Sequence, residues 1–156
     1  TMQTLDGMEV AKILLESALI PSLLYGASTW LGVDKKTEDC CDDLLYMYWR
    51  VMYQVPDGTP KISLVAESGT MRTKWRIWTQ KIQLVNRIYK QKPDCLARRV
   101  YMEQLQNGWP GLASEVATIW KLIGIPDVNN HIVKKDKIVE AVFYHHYKDL
   151  KECMNK

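Results

Sequence analysis

The sequence contains no uninterrupted apolar run long enough to cross a bilayer. Its longest stretch without a charged residue, residues 17–33, is broken by Pro21, Gly26 and Gly32, whereas a membrane-spanning helix needs about 20 mostly apolar residues. The chain also opens without the basic segment, apolar segment and small-residue cleavage site of a secretory signal peptide. We therefore expect an intracellular protein, cytoplasmic or nuclear, that does not enter a membrane.

Cysteine is sparse, and its spacing suits neither a disulfide scaffold nor a zinc site. The four cysteines are Cys40, Cys41, Cys95 and Cys153. Small secreted scaffolds carry denser cysteines, and zinc sites use ligand pairs two to four residues apart. His145 and His146 with Cys153 would be an alternative ligand set on one helix, but ordinary burial is the favoured interpretation, above all for His146. We expect reduced, mostly buried thiols and neither a metal nor another cofactor.

The common catalytic motifs are also missing. The sequence has no glycine-rich phosphate loop, no Gly-x-Ser-x-Gly elbow and no His-Glu-x-x-His. Asp127, Asp149 and Lys151 resemble the acid-plus-lysine set of a metal-dependent nuclease, but that chemistry normally uses neighbouring strands. Asp42 and Asp43 are adjacent, so on a helix they point about 100° apart and do not converge on one metal. We interpret that pair as a solvated helix start.

Apolar residues recur with helical periodicity in every long segment of the sequence. Pro21 is expected to kink or divide the first helix, Pro93 to end the helix over residues 70–90, and Asp94 to cap the helix that follows. The predicted helices cover residues 10–24, a second helix from 37, a short helix 60–67, and residues 70–90, 95–106, 112–122 and 135–154. The sequence therefore predicts an all-α domain of six or seven helices, with residues 1–127 as the main domain and residues 128–156 as a C-terminal amphipathic helix packed on it or trailing.

Two of these helices carry apolar stripes that predict their buried faces. The stripe of the second helix is Cys41, Leu44, Leu45, Tyr48 and Met52. The stripe of the last helix is Val139, Phe143, His146, Leu150 and Cys153.

The helix over residues 70–90 has the clearest amphipathic pattern. At 100° per residue, an arc of about 80° holds Met71, Trp75, Trp78, Ile82, Val85 and Tyr89. We expect this arc to be buried, so its two tryptophans belong to the core rather than to a base-stacking platform. A second arc holds Arg72, Arg76, Arg87 and Lys90. Arg76 and Arg87 project about 20° apart, which predicts an exposed ridge of cations.

Charge is divided unevenly along the chain. Residues 1–60 carry a net charge of −5, and residues 61–156 carry +8. Nine basic residues and a single acid, Asp94, lie between residues 70 and 100. Such an excess is typical of a phosphate-binding surface and, equally, of a solvated helix face. The candidate nucleic-acid contacts are Arg72, Lys74, Arg76, Lys81, Arg87, Lys90, Arg98 and Arg99.

A series of short motifs resembles the region after the palm in reverse transcriptases of LINE-like non-LTR retrotransposons. The motifs are Leu23-Leu24-Tyr25-Gly26-Ala27-Ser28-Thr29-Trp30, Tyr48-Trp49-Arg50, Val55-Pro56, Thr59-Pro60, Leu64, Glu67-Ser68-Gly69, the basic helix 74–90 and the turn Gly108-Trp109-Pro110-Gly111. Their order and spacing make the set more specific than any one of them. The resemblance covers about residues 10–127.

This resemblance implies a thumb-like helical module that grips nucleic acid. The family polymerises DNA through palm aspartates, one of them in a Tyr/Phe-x-Asp-Asp motif, and no such motif occurs here. The expected function is therefore non-catalytic binding of RNA, DNA or an RNA–DNA hybrid through its phosphates, alongside the remainder of the polymerase. The alternative is a protein–protein interaction or structural domain in which the basic helix docks on the acidic first third.

Overall fold

The protein is a bundle of α-helices. The computed structural model describes residues 3–124 and 135–155, with side chains at residues 7–124 and 136–155. Its elements in order are α1 (Gln3–Leu14), a π-helical turn (Leu15–Leu19), α2 (Ile20–Leu23), a 3₁₀ turn (Ala27–Thr29), α3 (Lys35–Tyr53), α4 (Lys61–Ser68), α5 (Thr73–Lys90), α6 (Leu96–Asn107), α7 (Leu112–Ile123) and α8 (Lys135–Met154). No strand occurs among these residues, and the all-α prediction is confirmed.

Pro21 changes the winding of the first helix without breaking it. Proline cannot donate a backbone hydrogen bond, and its ring crowds the carbonyl four residues earlier. The chain widens into the π-helical turn Leu15–Leu19, where the N–H of Ile20 donates to the Leu15 carbonyl. Leu15 is thereby fully buried. The stretch 3–23 thus runs as one helix with an internal π turn.

Helix α5 is the central element and packs on two sides. Trp75, Ile82 and Val85 belong to a core shared with α6, α7 and α8. Ile77 faces a second core built from the α1–α4 half of the chain. The predicted apolar arc is buried or partly buried throughout. The opposite side of α5 is covered as well, which the amphipathic pattern did not indicate.

Helix α8 packs against α4, α5 and α7. Ile138 and Val142 are fully buried in the core beneath α5, and His146 is 3% exposed. The burial of His146 was predicted. The predicted boundary between residues 127 and 128 lies outside the described residues.

The predicted buried faces of α3 and α8 are partly wrong. On α3, Leu44 and Met52 are exposed, whereas Tyr46 and Trp49 are buried. The indole N–H of Trp49 donates to the Thr70 hydroxyl over 2.8 Å. The buried face of α3 is therefore the one that carries its largest ring and gives the ring's N–H an acceptor. On α8, the expected stripe members Val139, Phe143 and Cys153 are exposed.

The remaining chain-wide expectations have mixed outcomes. All four cysteines are free thiols, but only Cys41 is buried, so the expectation of mostly buried thiols is wrong. Within residues 3–124 and 135–155, no helix has the length and apolarity that crossing a membrane requires. The same part of the chain holds no group of three or more His, Cys, Asp or Glu residues placed to bind a metal ion. Asp127 of the nuclease alternative lies outside it.

His146 should make stability depend on pH. Burial lowers the pKa of His146 below its usual 6.5, the positive charges of Arg72 and Arg76 lower it further, and Asp149 and Asp42 oppose the shift. The unfolded chain therefore binds the proton more readily, and the free energy of unfolding falls as pH drops through and below about 6.5. We expect the Tm to decrease as the pH is lowered from 7.5 to 5.5.

The neighbouring histidine provides the control for this prediction. His145 is only half-buried, and His145→Gln should retain the pH dependence of the Tm. His146→Gln should flatten it over the same interval, whatever its effect on the Tm at pH 7.5. Equal slopes of Tm against pH in the two variants would contradict the assignment to His146.

Candidate nucleic-acid interface

The eight predicted contacts divide into two groups along the chain. Arg72 immediately precedes α5, Lys74, Arg76 and Lys81 lie in its first half, and each of the four already has a partner within the protein. Arg87, Lys90, Arg98 and Arg99 lie where α5 ends and α6 begins. The structure thus separates cations that the sequence presented as one surface.

Arg72 belongs to a buried cap at the start of α5. Asp42 of α3, 2% exposed, accepts from the Arg72 Nε over 2.9 Å and from the Thr73 backbone N–H over 2.8 Å. A carboxylate from a distant helix therefore satisfies the first free N–H of α5, where the helix dipole favours negative charge. Burial, with repulsion from Asp42, raises the pKa of neighbouring Tyr46 to about 12. The interpretation of Asp42 as part of a solvated helix start is wrong, whereas Asp43 is exposed and pairs with Lys61.

Arg76 is held by a two-point ion pair. Its Nη1 and Nη2 donate to the two carboxylate oxygens of Glu16 over 2.9 and 2.6 Å, and its Nε donates to the Met71 carbonyl over 2.9 Å. The side chain is only 15% exposed. The expected ridge shared by Arg76 and Arg87 is therefore wrong, since Arg87 is exposed and Arg76 is not. In the variant Arg76→Glu, the new carboxylate would lie against that of Glu16, and the two negative charges would repel each other.

Lys81 is buried between α5 and α7. Its side chain is 5% exposed and pairs with Glu115. The other oxygen of Glu115 accepts from the Gly32 backbone N–H, so this pair joins the loop before α3 to the centre of the bundle. A lysine placed in this way cannot reach a phosphate, and we leave it out of the interface.

Lys74 lies against two tryptophans. Its Nζ is 4.8 Å from the ring centroid of Trp75 and 4.8 Å from that of Trp78, within the range of cation–π attraction. The two rings meet edge to face with centroids 5.0 Å apart. Trp75 is buried and Trp78 is half-buried, which matches the prediction that they belong to the core. Lys74 is thereby part of a packed cluster.

The second group forms what we call the α5–α6 corner. Its members are Arg87, Lys90, Lys92, Arg98 and Arg99. Four of the five are exposed and Arg98 is half-buried. Within the part of the chain that the structure describes, none of them has an ion-pair partner. Lys92 was not among the predicted contacts, although it lies within the basic stretch of the sequence.

Specific contacts fix the geometry of this corner. The rings of Tyr89 and Tyr101 meet edge to face with centroids 5.5 Å apart, which locks the end of α5 against α6. Arg98 donates from Nη1 to the Gln91 carbonyl over 2.7 Å. The first turn of α6 is thus tied to the residue that follows α5, and the cations of the two helices lie on either side of this one short turn.

The amino end of α6 lacks the expected cap. Cys95, not Asp94, occupies the cap position and its side chain makes no cap hydrogen bond, so the predicted capping by Asp94 is wrong. Arg98 and Arg99 lie in this first turn, where the positive end of the helix dipole disfavours cations by about 0.3–1 kcal/mol each. Positive side chains and free N–H groups therefore reinforce one another at one place, an arrangement suited to an anion.

Sequence reasoning missed the carboxylates that engage the first group of cations. Glu16 and Asp42 belong to the acidic first third, and its net charge of −5 was the available signal. The structural alternative predicted that the basic helix docks on the acidic first third of the chain. Arg72 and Arg76 make such contacts, with Asp42 and Glu16. Nothing in the sequence indicated Glu115 as the partner of Lys81, because only the packing of α7 on α5 brings the two side chains together.

Comparisons with models of protein families, with curated protein sequences and with solved structures find no match to this chain.

Proposed function

We propose that this chain is a non-catalytic nucleic-acid-binding module that grips the phosphate backbone at the α5–α6 corner. The observation that carries the proposal is a set of cations on both sides of the turn between α5 and α6, at a helix start whose cap residue Cys95 makes no side-chain cap bond, with no carboxylate partner among the described residues. Arg87, Lys90, Arg98 and Arg99 neutralise phosphates, with Lys92 beside them. Such contacts position a strand without reading its sequence, so the ligand is RNA, DNA or an RNA–DNA hybrid.

The resemblance to the thumb region of LINE-like reverse transcriptases supports the same proposal. In that setting the module works inside the cell and holds the template–primer duplex or the element's RNA for a catalytic palm elsewhere in the polypeptide. This chain lacks the palm's aspartate motif and contributes binding alone. The exposed apolar side chains Leu44, Met47 and Val51 on α3 then form the face that packs on the remainder of the polymerase.

Salt dependence of duplex binding tests the proposal directly. Each phosphate contact contributes about −0.9 to the slope of log affinity against log salt on duplex DNA, so four or five contacts predict a slope of about −4. This slope is measured by fluorescence anisotropy with a labelled duplex, in a salt series from about 50 to about 300 mM. DNA, RNA and hybrid duplexes should each show a steep dependence.

The second candidate function is a protein–protein interaction or structural domain. It is favoured by the intramolecular pairing of Arg72 and Arg76 and by the apolar face of α3. In that case duplex binding is absent, or is weak with a slope no steeper than about −1, the value for a single contact. The anisotropy experiment thus distinguishes the two candidates.

A further inference from the structure

A cavity of about 570 Å³ lies between α4 and α8. This volume falls in the range of pockets that hold small organic molecules, about 300–1,000 Å³. Neither helix carries a member of the α5–α6 corner, so the cavity is separate from the proposed nucleic-acid interface.

The walls of the cavity are mostly apolar. Val65 of α4 forms one side, and Phe143, Leu150 and Met154 of α8 form the other. Phe143 is 52% exposed and Met154 is 64% exposed, because α8 buries only the face that carries Ile138 and Val142. Apolar side chains left at the mouth of a concave site lower the free energy of a bound apolar ligand by removing its surface from water.

One wall contains a buried polar group without a partner. His146 lines the cavity, and its Nδ1 is buried with no hydrogen-bond partner among the described atoms. This nitrogen is covered by protein atoms, so the His146 ring supplies wall surface, and the polar contacts of a ligand come from other side chains.

The mouth of the cavity is positively charged. Lys151 lines it, and Lys12 of α1 reaches the same place, since its Nζ lies 4.0 Å from the position of a Cβ built on Gly69, which also lines the cavity. Neither lysine has an ion-pair partner within residues 7–124 and 136–155. Among the described lining residues there is no carboxylate.

We propose that this cavity binds an amphipathic monocarboxylate, an apolar chain that ends in a single carboxylate. The chain lies between Val65 of α4 and the apolar side chains of α8. The carboxylate accepts hydrogen bonds from Lys12 and Lys151, which attract it as ammonium groups. A neutral apolar ligand leaves both lysines without a partner, and a cationic one is repelled by them.

Isothermal titration calorimetry with sodium decanoate tests the proposal, and decyltrimethylammonium is the probe of matched chain length and opposite charge. We expect saturable binding of decanoate with one site per chain and at least about tenfold weaker binding of decyltrimethylammonium. Saturable binding of both probes with equal affinity, or no binding of decanoate below its micellar concentration, would overturn the proposal.

Two pairs of variants locate the site. Ala66 is exposed and lines the cavity, so Ala66→Trp should fill it and abolish decanoate binding, whereas Ala97→Trp on exposed α6 should not. Lys151→Glu should weaken binding at least about tenfold, and Lys148→Glu, an exposed position on the same helix outside the cavity, should leave it unchanged. Wild-type affinity in both Ala66→Trp and Lys151→Glu would place decanoate elsewhere and refute the assignment.

Discussion

Reversing three charges at the α5–α6 corner should lower the affinity for duplex nucleic acid about a thousandfold. In the variant Arg87→Glu, Lys90→Glu, Arg99→Glu, each change removes a charged hydrogen bond to phosphate worth about 1.5–3 kcal/mol, or roughly tenfold or more in affinity. The slope of log affinity against log salt should become shallower by about three units, one for each lost contact. Fluorescence anisotropy over a salt series measures both quantities.

Fold and net charge can both be controlled in this experiment. The three side chains are exposed and have no ion-pair partner within the described residues, so the Tm and the helical circular dichroism should match those of the wild type. The matched control reverses three exposed lysines, one of α7 and two of α8, in the variant Lys121→Glu, Lys137→Glu, Lys148→Glu. It carries the same change in net charge and should bind nearly as the wild type.

The comparison of the two triple variants decides between the candidate functions. Equal loss of affinity in both would show that net charge, rather than the corner, attracts the duplex. Wild-type affinity and salt slope in the corner variant would favour the protein-interaction candidate instead. Arg98 is left unchanged, because its bond to the Gln91 carbonyl gives it a structural role as well.

Asp42→Ala should cause the largest loss of stability among single changes at a charged residue of α3. It removes the acceptor of the Thr73 N–H, a cap worth about 1 kcal/mol, and leaves the Arg72 guanidinium without its carboxylate, at about 1.5–3 kcal/mol. We expect the free energy of unfolding to fall by roughly 2–4 kcal/mol in total. For a chain of this size that lowers the Tm by about 5–12 °C, which differential scanning calorimetry measures.

The next residue along the chain is the matched control. Asp43 pairs with Lys61, and both side chains are more than half exposed, so Asp43→Ala should change the free energy of unfolding by less than about 1 kcal/mol. Asp42→Asn keeps an oxygen that can accept from Thr73 and should lose about half as much as the alanine variant. Similar Tm values for Asp42→Ala and Asp43→Ala would show that the buried cap contributes little.

The elements of the fold were readable from the sequence because their signals are local. The helix predicted over residues 135–154 has those bounds in α8, and the fifth helix ends at Lys90, before Pro93, as expected. Periodicity of 3.6 residues and the missing N–H of proline act within a few residues of the position that they control. The burial of the aromatic and aliphatic arc of α5 was likewise predicted, and the structure confirms it.

The assignment of charges to surface or interior was decided only by tertiary structure. Asp42 and Asp43 are the same residue type in adjacent positions, yet only Asp42 meets the start of α5, about 30 residues later in the sequence. Arg76 and Arg87 share a face of one helix, yet Glu16 of the first helix covers only Arg76. Helical projection places side chains on a face, but which other helix covers that face depends on contacts between residues far apart in the chain. The sequence by itself therefore determined the helices and the basic stretch, and the contacts of the π-helical turn, α3 and α7 with α5 determined which cations of that stretch remain exposed.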